Sequence, residues 1–279
     1  MSYKVVVDSC GELTEEMKQS EHFVTASLEI EVDGYHITDD ATFDQKDFLR
    51  RVAAAPECPK SSCPSPERYM EMYHCDAEHV YAVTLSAELS GSYNSAELGK
   101  NLYKEEYGEK QIHVFNSKSA SVGETLIALK IAECEEKQMS FEEIIKTVDA
   151  YIEEQHTYFV LETLETLRKN GRLTGIKAMM ATALNIKPVM GSTPIGSICQ
   201  LGQGRGMKKA IEKMVAQVKK DAIRPEEKIL AITHCNCPER AEEMKKMVQE
   251  QMKVKDIIVL DTAGISSMYA ADGGVILVV

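Results

Sequence analysis

Short runs of hydroxyl, carboxyl and carboxamide side chains, each placed where an apolar run ends, are the groups in this chain best suited to chemistry: Asp8-Ser9, Ser61-Ser62, Ser86 to Ser92 and Asn116-Ser117. In an open parallel sheet, ligands bind in the crevice beyond the carboxyl ends of the strands. Ser90-Gly91-Ser92 carries the most weight, because a helix is predicted to start there. Free backbone amides and the positive end of the helix dipole favour an anion at such a place. Hydroxyls beside a helix start make a neutral-donor site for a carboxylate or a phosphate. The same local sequence also allows Ser90 or Ser92 to be a plain N-cap.

Other chemistries lack their parts. A serine hydrolase needs a partnered histidine and, on an α/β sheet, a Gly-x-Ser-x-Gly elbow at a strand-helix junction. No such junction occurs, and nothing ties His79, His113 or His234 to a serine. Leu201-Gly202-Gln203-Gly204-Arg205-Gly206 does not end in the Lys-Ser or Lys-Thr of a phosphate loop, and Asp8-Ser9-Cys10-Gly11 does not match a dinucleotide fingerprint. His234-Cys235-Asn236-Cys237 resembles half a zinc site, but a second half at finger-like spacing is missing, which leaves a strand end and a helix start with incidental thiols. The pairs Asp39-Asp40 and Glu135-Glu136 read as solvated faces. These readings yield a small-molecule anion pocket with no catalytic residue, no metal and no cofactor.

The elements that must position the pocket alternate between short apolar strands and longer helical stretches, the pattern of a mostly parallel sheet covered by helices. Strands are predicted at 5–7, 80–85, 112–115, 158–161, 229–233, 257–260 and 275–279, with a hairpin of 187–190 and 198–201. The stretch between the first strand and a helix over 48–55 is polar and mixed, and 56–66 reads as a loop punctuated by four prolines. Ser65 with Pro66 opens a helix, Ser140 with Glu143 forms a capping box, Gly171 suits a left-handed stop, and Thr174 can cap the helix after it. At 279 residues the chain is long enough for about two domains, divided here as 1–157 and 158–279.

Composition narrows the partners. With 32 Lys+Arg against 44 Asp+Glu, the net charge of -12 repels nucleic-acid backbones, and the basic residues form no stripe. No apolar run approaches the roughly 18 to 20 residues that cross a bilayer. Eight cysteines without a secretory signal ahead of them point to reduced thiols in the cytoplasm.

Taken in order, several fragments resemble the DegV family of bacterial fatty-acid-binding proteins. They are Val7-Asp8-Ser9; Lys60-Ser61-Ser62-Cys63-Pro64-Ser65-Pro66, similar to the family's Lys-Thr-Ser-Gln-Pro-Ser; Leu89 to Ala96; Ser117-Lys118; Leu164 to Leu173 with Gly171-Arg172-Leu173; Lys187-Pro188-Val189; and Arg205 before a lysine-rich helix. The resemblance implies a two-domain α/β fold, a parallel-sheet N-terminal domain and a mixed-sheet C-terminal domain. It further implies a long-chain fatty acid in an interdomain tunnel, in a non-catalytic monomer that presents the carboxylate to a separate ATP-dependent fatty acid kinase. Ser61, Ser62, Ser90, Gly91 and Ser92 would hold the carboxylate, and Arg172 and Arg205 would organise the head group or meet the kinase. Four positions depart from the family pattern: Asn116 for Asp, Asn170 for the first glycine of Gly-Gly-Arg, Cys63 for Gln, and Tyr269-Ala270-Ala271-Asp272-Gly273 for His-Val-Gly-Pro-Gly. The family histidine lies beside the carboxylate, so its replacement bears on phosphotransfer more than on lipid binding. The alternatives are a lipid-responsive regulatory protein and, from the enzyme class, a small-molecule kinase or hydrolase.

Overall fold

The computed structural model describes residues 2–173 and 185–279, so the cap foreseen at Thr174 lies outside the described residues. In chain order the elements are β1 (Tyr3–Asp8), α1 (Glu15–Gln19), β2 (Phe23–Ala26), β3 (Glu29–Val32), β4 (Tyr35–Thr38), α2 (Gln45–Ala54), β5 (Lys60–Ser62), α3 (Pro66–Tyr73), β6 (His79–Thr84), α4 (Ser92–Tyr107), β7 (Gln111–Asn116), α5 (Val122–Glu136) and α6 (Phe141–Glu154). They continue with β8 (Thr157–Val160), α7 (Glu165–Lys169), β9 (Ile186–Ser192), β10 (Ile198–Arg205), α8 (Gly206–Asp221), β11 (Ile229–His234), α9 (Pro238–Gln251), β12 (Asp256–Asp261), α10 (Gly264–Ala270) and β13 (Val275–Val278).

Three sheets result. The first is fully parallel, ordered β2-β1-β6-β7, and the second is mixed, ordered β10-β9-β8-β13-β11-β12 with β11 and β12 its parallel pair. The third, β4-β3-β5, is a small antiparallel sheet built from the stretch that reads as polar and mixed in sequence and from the proline-punctuated loop. Its strands are three or four residues long, too short for an alternating pattern to register. Ile30 and Val32 nonetheless turn inward, joining Leu28 and Phe48 in a core shared with Ile265 and Met268 of α10.

Helix α5 lies between the two large sheets. Ile127, Ala128 and Ile131 pack on β1 and β6, while Val122 and Leu126 pack on Ala231 and Val278 of the mixed sheet. A helix buried on two faces carries apolar residues all round, and 11 of the residues in α5 are buried. The foreseen caps are in place: Ser65 Oγ accepts the Arg68 amide at 3.3 Å, and Ser140 and Glu143 form the reciprocal box. Gly171, at φ +75°, ends α7 with the Arg172 amide donating to Leu167 O at 2.8 Å, the long bond of a Schellman turn.

Two carboxylate pairs depart from the solvated faces read in sequence. Asp39 is 2% exposed and Glu135 is 7% exposed. Glu135 accepts from the Tyr81 hydroxyl at 2.7 Å and meets His79 Nδ1 at 2.6 Å, a buried polar triad at the start of β6. Long-range packing decides both burials, and adjacent acidic residues carry no local trace of it.

Candidate functional site

The end of β1 organises the corner where the hydroxyl clusters meet. Asp8 is wholly buried; its Oδ1 accepts the Cys10 amide at 3.1 Å, and its Oδ2 accepts the Leu85 amide at 2.9 Å and the Ser92 hydroxyl at 2.7 Å. One carboxylate thereby fixes the turn after β1, the loop after β6 and the start of α4. Burial pushes its pKa up. Glu124, beneath it in α5, is also fully buried and receives no hydrogen bond among the described residues. Desolvation and the Asp8 charge push Glu124 well above the usual carboxylate range.

Most of the other candidates serve the loops themselves. Ser9 Oγ accepts the Leu28 amide at 3.0 Å, Asn116 Oδ1 accepts the Ala87 and Lys118 amides, both at 3.1 Å, and Ser117 exchanges hydrogen bonds with the Ser119 backbone. Ser92, also expected at the carboxylate, turns into the fold. Its side chain is fully buried and engaged by Asp8 and by the Tyr69 hydroxyl at 2.6 Å.

Ser61 and Ser90 are differently placed. Ser90 Oγ accepts the Ser92 amide at 3.1 Å, which leaves its own hydrogen for another partner. Ser61, on β5, faces Tyr269 of α10, with the two hydroxyl oxygens 3.4 Å apart. A methyl group at Gly91 would stand 3.3 Å from Cys63 Sγ, so β5 and the Ser90-Gly91 turn run side by side. Arg172 closes the same corner: Nε donates to Leu89 O at 3.1 Å and the guanidinium lies 5.9 Å from the centroid of the Tyr269 ring. Asn170 ties the end of α7 to the approach to β5 by donating to Pro59 O at 3.0 Å. Ser62 and Arg205 are exposed, and of the residues expected at the head group Arg172 alone lines the cavity behind this corner, with Leu89 and Tyr269 beside it.

That cavity, about 90 Å³, lies between the two large sheets. Cys10, Leu85 and Ala120 wall it from the parallel-sheet side, Phe159, Leu161 and Ile276 from the mixed sheet, and Leu167, Ile265 and Tyr269 from α7 and α10. The surface turned to this space is almost wholly apolar, so it offers water few of the polar partners a buried water needs. The β9–β10 turn forms the rim, where Ser86 Oγ donates to Gly196 O at 2.9 Å. Cavity and hydroxyl corner together suit an amphiphile with one anionic end.

Helix α10 escaped the sequence reading, although Tyr269 on it stands out as a departure from the family pattern. It has seven residues, too few for a helical period to show. Asp39 holds its start: Oδ1 accepts the Gly264 amide at 2.7 Å and Oδ2 the Ile265 amide at 2.8 Å, while burial pushes the carboxyl up to about 6. Glu12, raised by burial to about 7, accepts from Ser121 Oγ at 2.8 Å and from the Ala263 amide at 3.3 Å. His234 ends β11 and Cys237 precedes α9 as its N-cap. Among the described residues no cluster of His, Cys, Asp and Glu suits a metal ion, and no helix is long and apolar enough to cross a membrane.

The chain and its fold are similar to known proteins. The DegV family model matches residues 2–278. A DegV family protein of Ruminococcus gnavus, whose crystal structure was refined with vaccenic acid, is 63% identical, with a TM-score of 0.98 over 100% of both chains. The Streptococcus pneumoniae Fatty Acid Kinase (Fak) B3 protein loaded with linoleic acid is 30% identical, with a TM-score of 0.90 over 100% of this chain and 99% of that one. A DegV domain-containing protein of Streptococcus pneumoniae is 30% identical over 279 residues, 99% of this chain and 98% of its relative.

Proposed function

This chain belongs to the DegV family, and we propose that it holds a long-chain fatty acid in the apolar cavity, with the carboxylate at the corner made by Ser61, Ser90 and Gly91 beside Arg172. The observation that carries the reading is that corner itself, where Arg172 and Tyr269 line a cavity with an apolar wall and Ser61 stands 3.4 Å from the Tyr269 hydroxyl. Each methylene buried supplies about 0.8 kcal/mol of gross driving force before ordering costs. The head-group donors then fix which end of the chain points outward.

In this reading the protein is a non-catalytic cytoplasmic carrier, monomeric, divided near residue 157, that offers the carboxylate to a separate ATP-dependent fatty acid kinase. The Fak B3 likeness supports the kinase partner. Arg205, exposed where β10 meets the lysine-rich α8, suits contact with that partner better than contact with the ligand. A regulatory, lipid-responsive role is the second reading, favoured by Tyr269 standing where the family pattern has histidine.

Denaturing extraction and mass spectrometry of protein purified from a bacterial host test the first claim. A near-stoichiometric long-chain acid is expected. Protein that is free of lipid and shows no thermal shift with added fatty acids overturns it.

A further inference from the structure

We propose that Asp39 is a positioning residue for the head-group corner, acting through α10 on Tyr269; this rests on the fatty-acid reading of the cavity. The two ends of the argument share one small sheet. Asp39 directly follows β4, its amide donating to Leu28 O at 2.9 Å, and Ser61 lies on β5; both strands pair with β3. Helix α10 comes from the far end of the chain, and its first amides need acceptors. Asp39 supplies one oxygen to each of two of them.

The approach is close enough to require glycine. A methyl group at Gly264 would stand 2.6 Å from Asp39 Oδ1. Pinned at this point, α10 has one position along the small sheet, and at that position the Tyr269 hydroxyl, at the end of its second turn, arrives 3.4 Å from Ser61 Oγ. Ile265, whose amide Asp39 accepts, lines the cavity, as does the next residue, Ser266. Without the carboxylate the helix keeps its apolar contacts with Leu28, Ile30 and Phe48, the bond from Ser266 Oγ to Cys10 O at 3.1 Å, that from Gln45 Nε2 to Ser267 Oγ at 3.3 Å and the Glu12 contact just before its start, but its first two amides lose the acceptor that fixes their position. The tyrosine hydroxyl is therefore best placed for the carboxylate while Asp39 holds the start of the helix.

The test compares oleic acid with oleyl alcohol, which keeps the chain and removes the anion. Asp39→Asn retains one acceptor and is the variant of choice; Asp39→Ala is the harsher companion. Asp39→Asn is expected to weaken oleic acid binding about tenfold and leave oleyl alcohol within about twofold. In a Tyr269→Phe background the same change is expected to add nothing, the mark of two residues acting as one. Equal losses for acid and alcohol, or losses that add to those of Tyr269→Phe, overturn the proposal. Hydrogen exchange in the ligand-free protein decides it without any lipid. The amides of α10 are expected to lose protection in Asp39→Asn and keep it in Tyr269→Phe; unchanged protection in Asp39→Asn overturns the proposal. A wild-type protein that binds neither acid nor alcohol defeats the fatty-acid reading instead, while the exchange result still decides the role of Asp39.

Discussion

Ser90 Oγ accepts the amide of Ser92 at 3.1 Å, so the hydroxyl best placed to meet a carboxylate also closes the turn that leads into the helix, whose N-cap is Gly91. The two roles use different parts of the group, since a hydroxyl accepts through its lone pairs and donates through its hydrogen.

Ser90→Ala is therefore expected to show two effects at once. Loss of the turn hydrogen bond lowers ligand-free stability by about 1 kcal/mol. Loss of the donor weakens fatty-acid affinity by about tenfold or more and spares an alcohol of the same chain length. Calorimetric unfolding and parallel titrations with acid and alcohol measure both. An affinity loss equal for acid and alcohol counts against the carboxylate role.

Ser92→Ala separates the neighbouring serine from the site. Its hydroxyl serves Asp8 and Tyr69 inside the fold, so removal is expected to cost about 2 kcal/mol of stability and leave ligand affinity nearly unchanged. Denaturant unfolding with a binding titration checks this; a large acid-specific loss would restore Ser92 to the site.

Glu12 gives the protein a pH dependence near neutrality. Burial raises its carboxyl from 4.5 to about 7, so the folded chain takes up a proton as pH falls through 7, whereas the unfolded chain does so only near 4.5. The folded state binds more protons in that window, and stability rises by about 1 kcal/mol between pH 8 and pH 6. Asp39, at about 6, extends the rise to lower pH, while His113 and His234, whose pKa values burial lowers, oppose it below about 6.5. Glu12→Gln is expected to reduce the slope between pH 8 and 6.5 in thermal melts, leaving the share of Glu124, whose carboxyl burial also raises. A slope that the substitution leaves unchanged assigns the effect elsewhere.

Gly196 holds the rim. It sits at φ +90°, and a methyl group there would clash with Ser86 Oγ and stand 2.8 Å from Lys118 Cα. Gly196→Ala is expected to cost about 2 kcal/mol of stability and to speed dissociation of a bound acid, as the β9–β10 turn lifts from the Ser86 loop. Stopped-flow displacement of a fluorescent fatty acid measures the rate; unchanged dissociation would mean that the ligand leaves by another route.

Local chemistry is what the sequence by itself determined. Caps at Ser65 and Ser140, the stop at Gly171, the hairpin and the long buried strands each depend on a few neighbouring residues. The order of short motifs carried the family, and it placed Ser61, Ser90 and Arg172 as candidates before any contact among them was known. Tertiary structure alone decided which hydroxyls face the cavity. Ser90 and Ser92 look alike in sequence, yet Asp8, 84 residues from Ser92, draws that hydroxyl inward. Asp39 and Asp40 are adjacent acidic residues, but only Asp39 meets the start of α10, more than 220 residues away. Ser61 and Tyr269 come together across 208 residues for the same reason. Such pairings follow from how sheets and helices stack, and a residue's type and its immediate neighbours hold no information about a partner that only the stacking supplies.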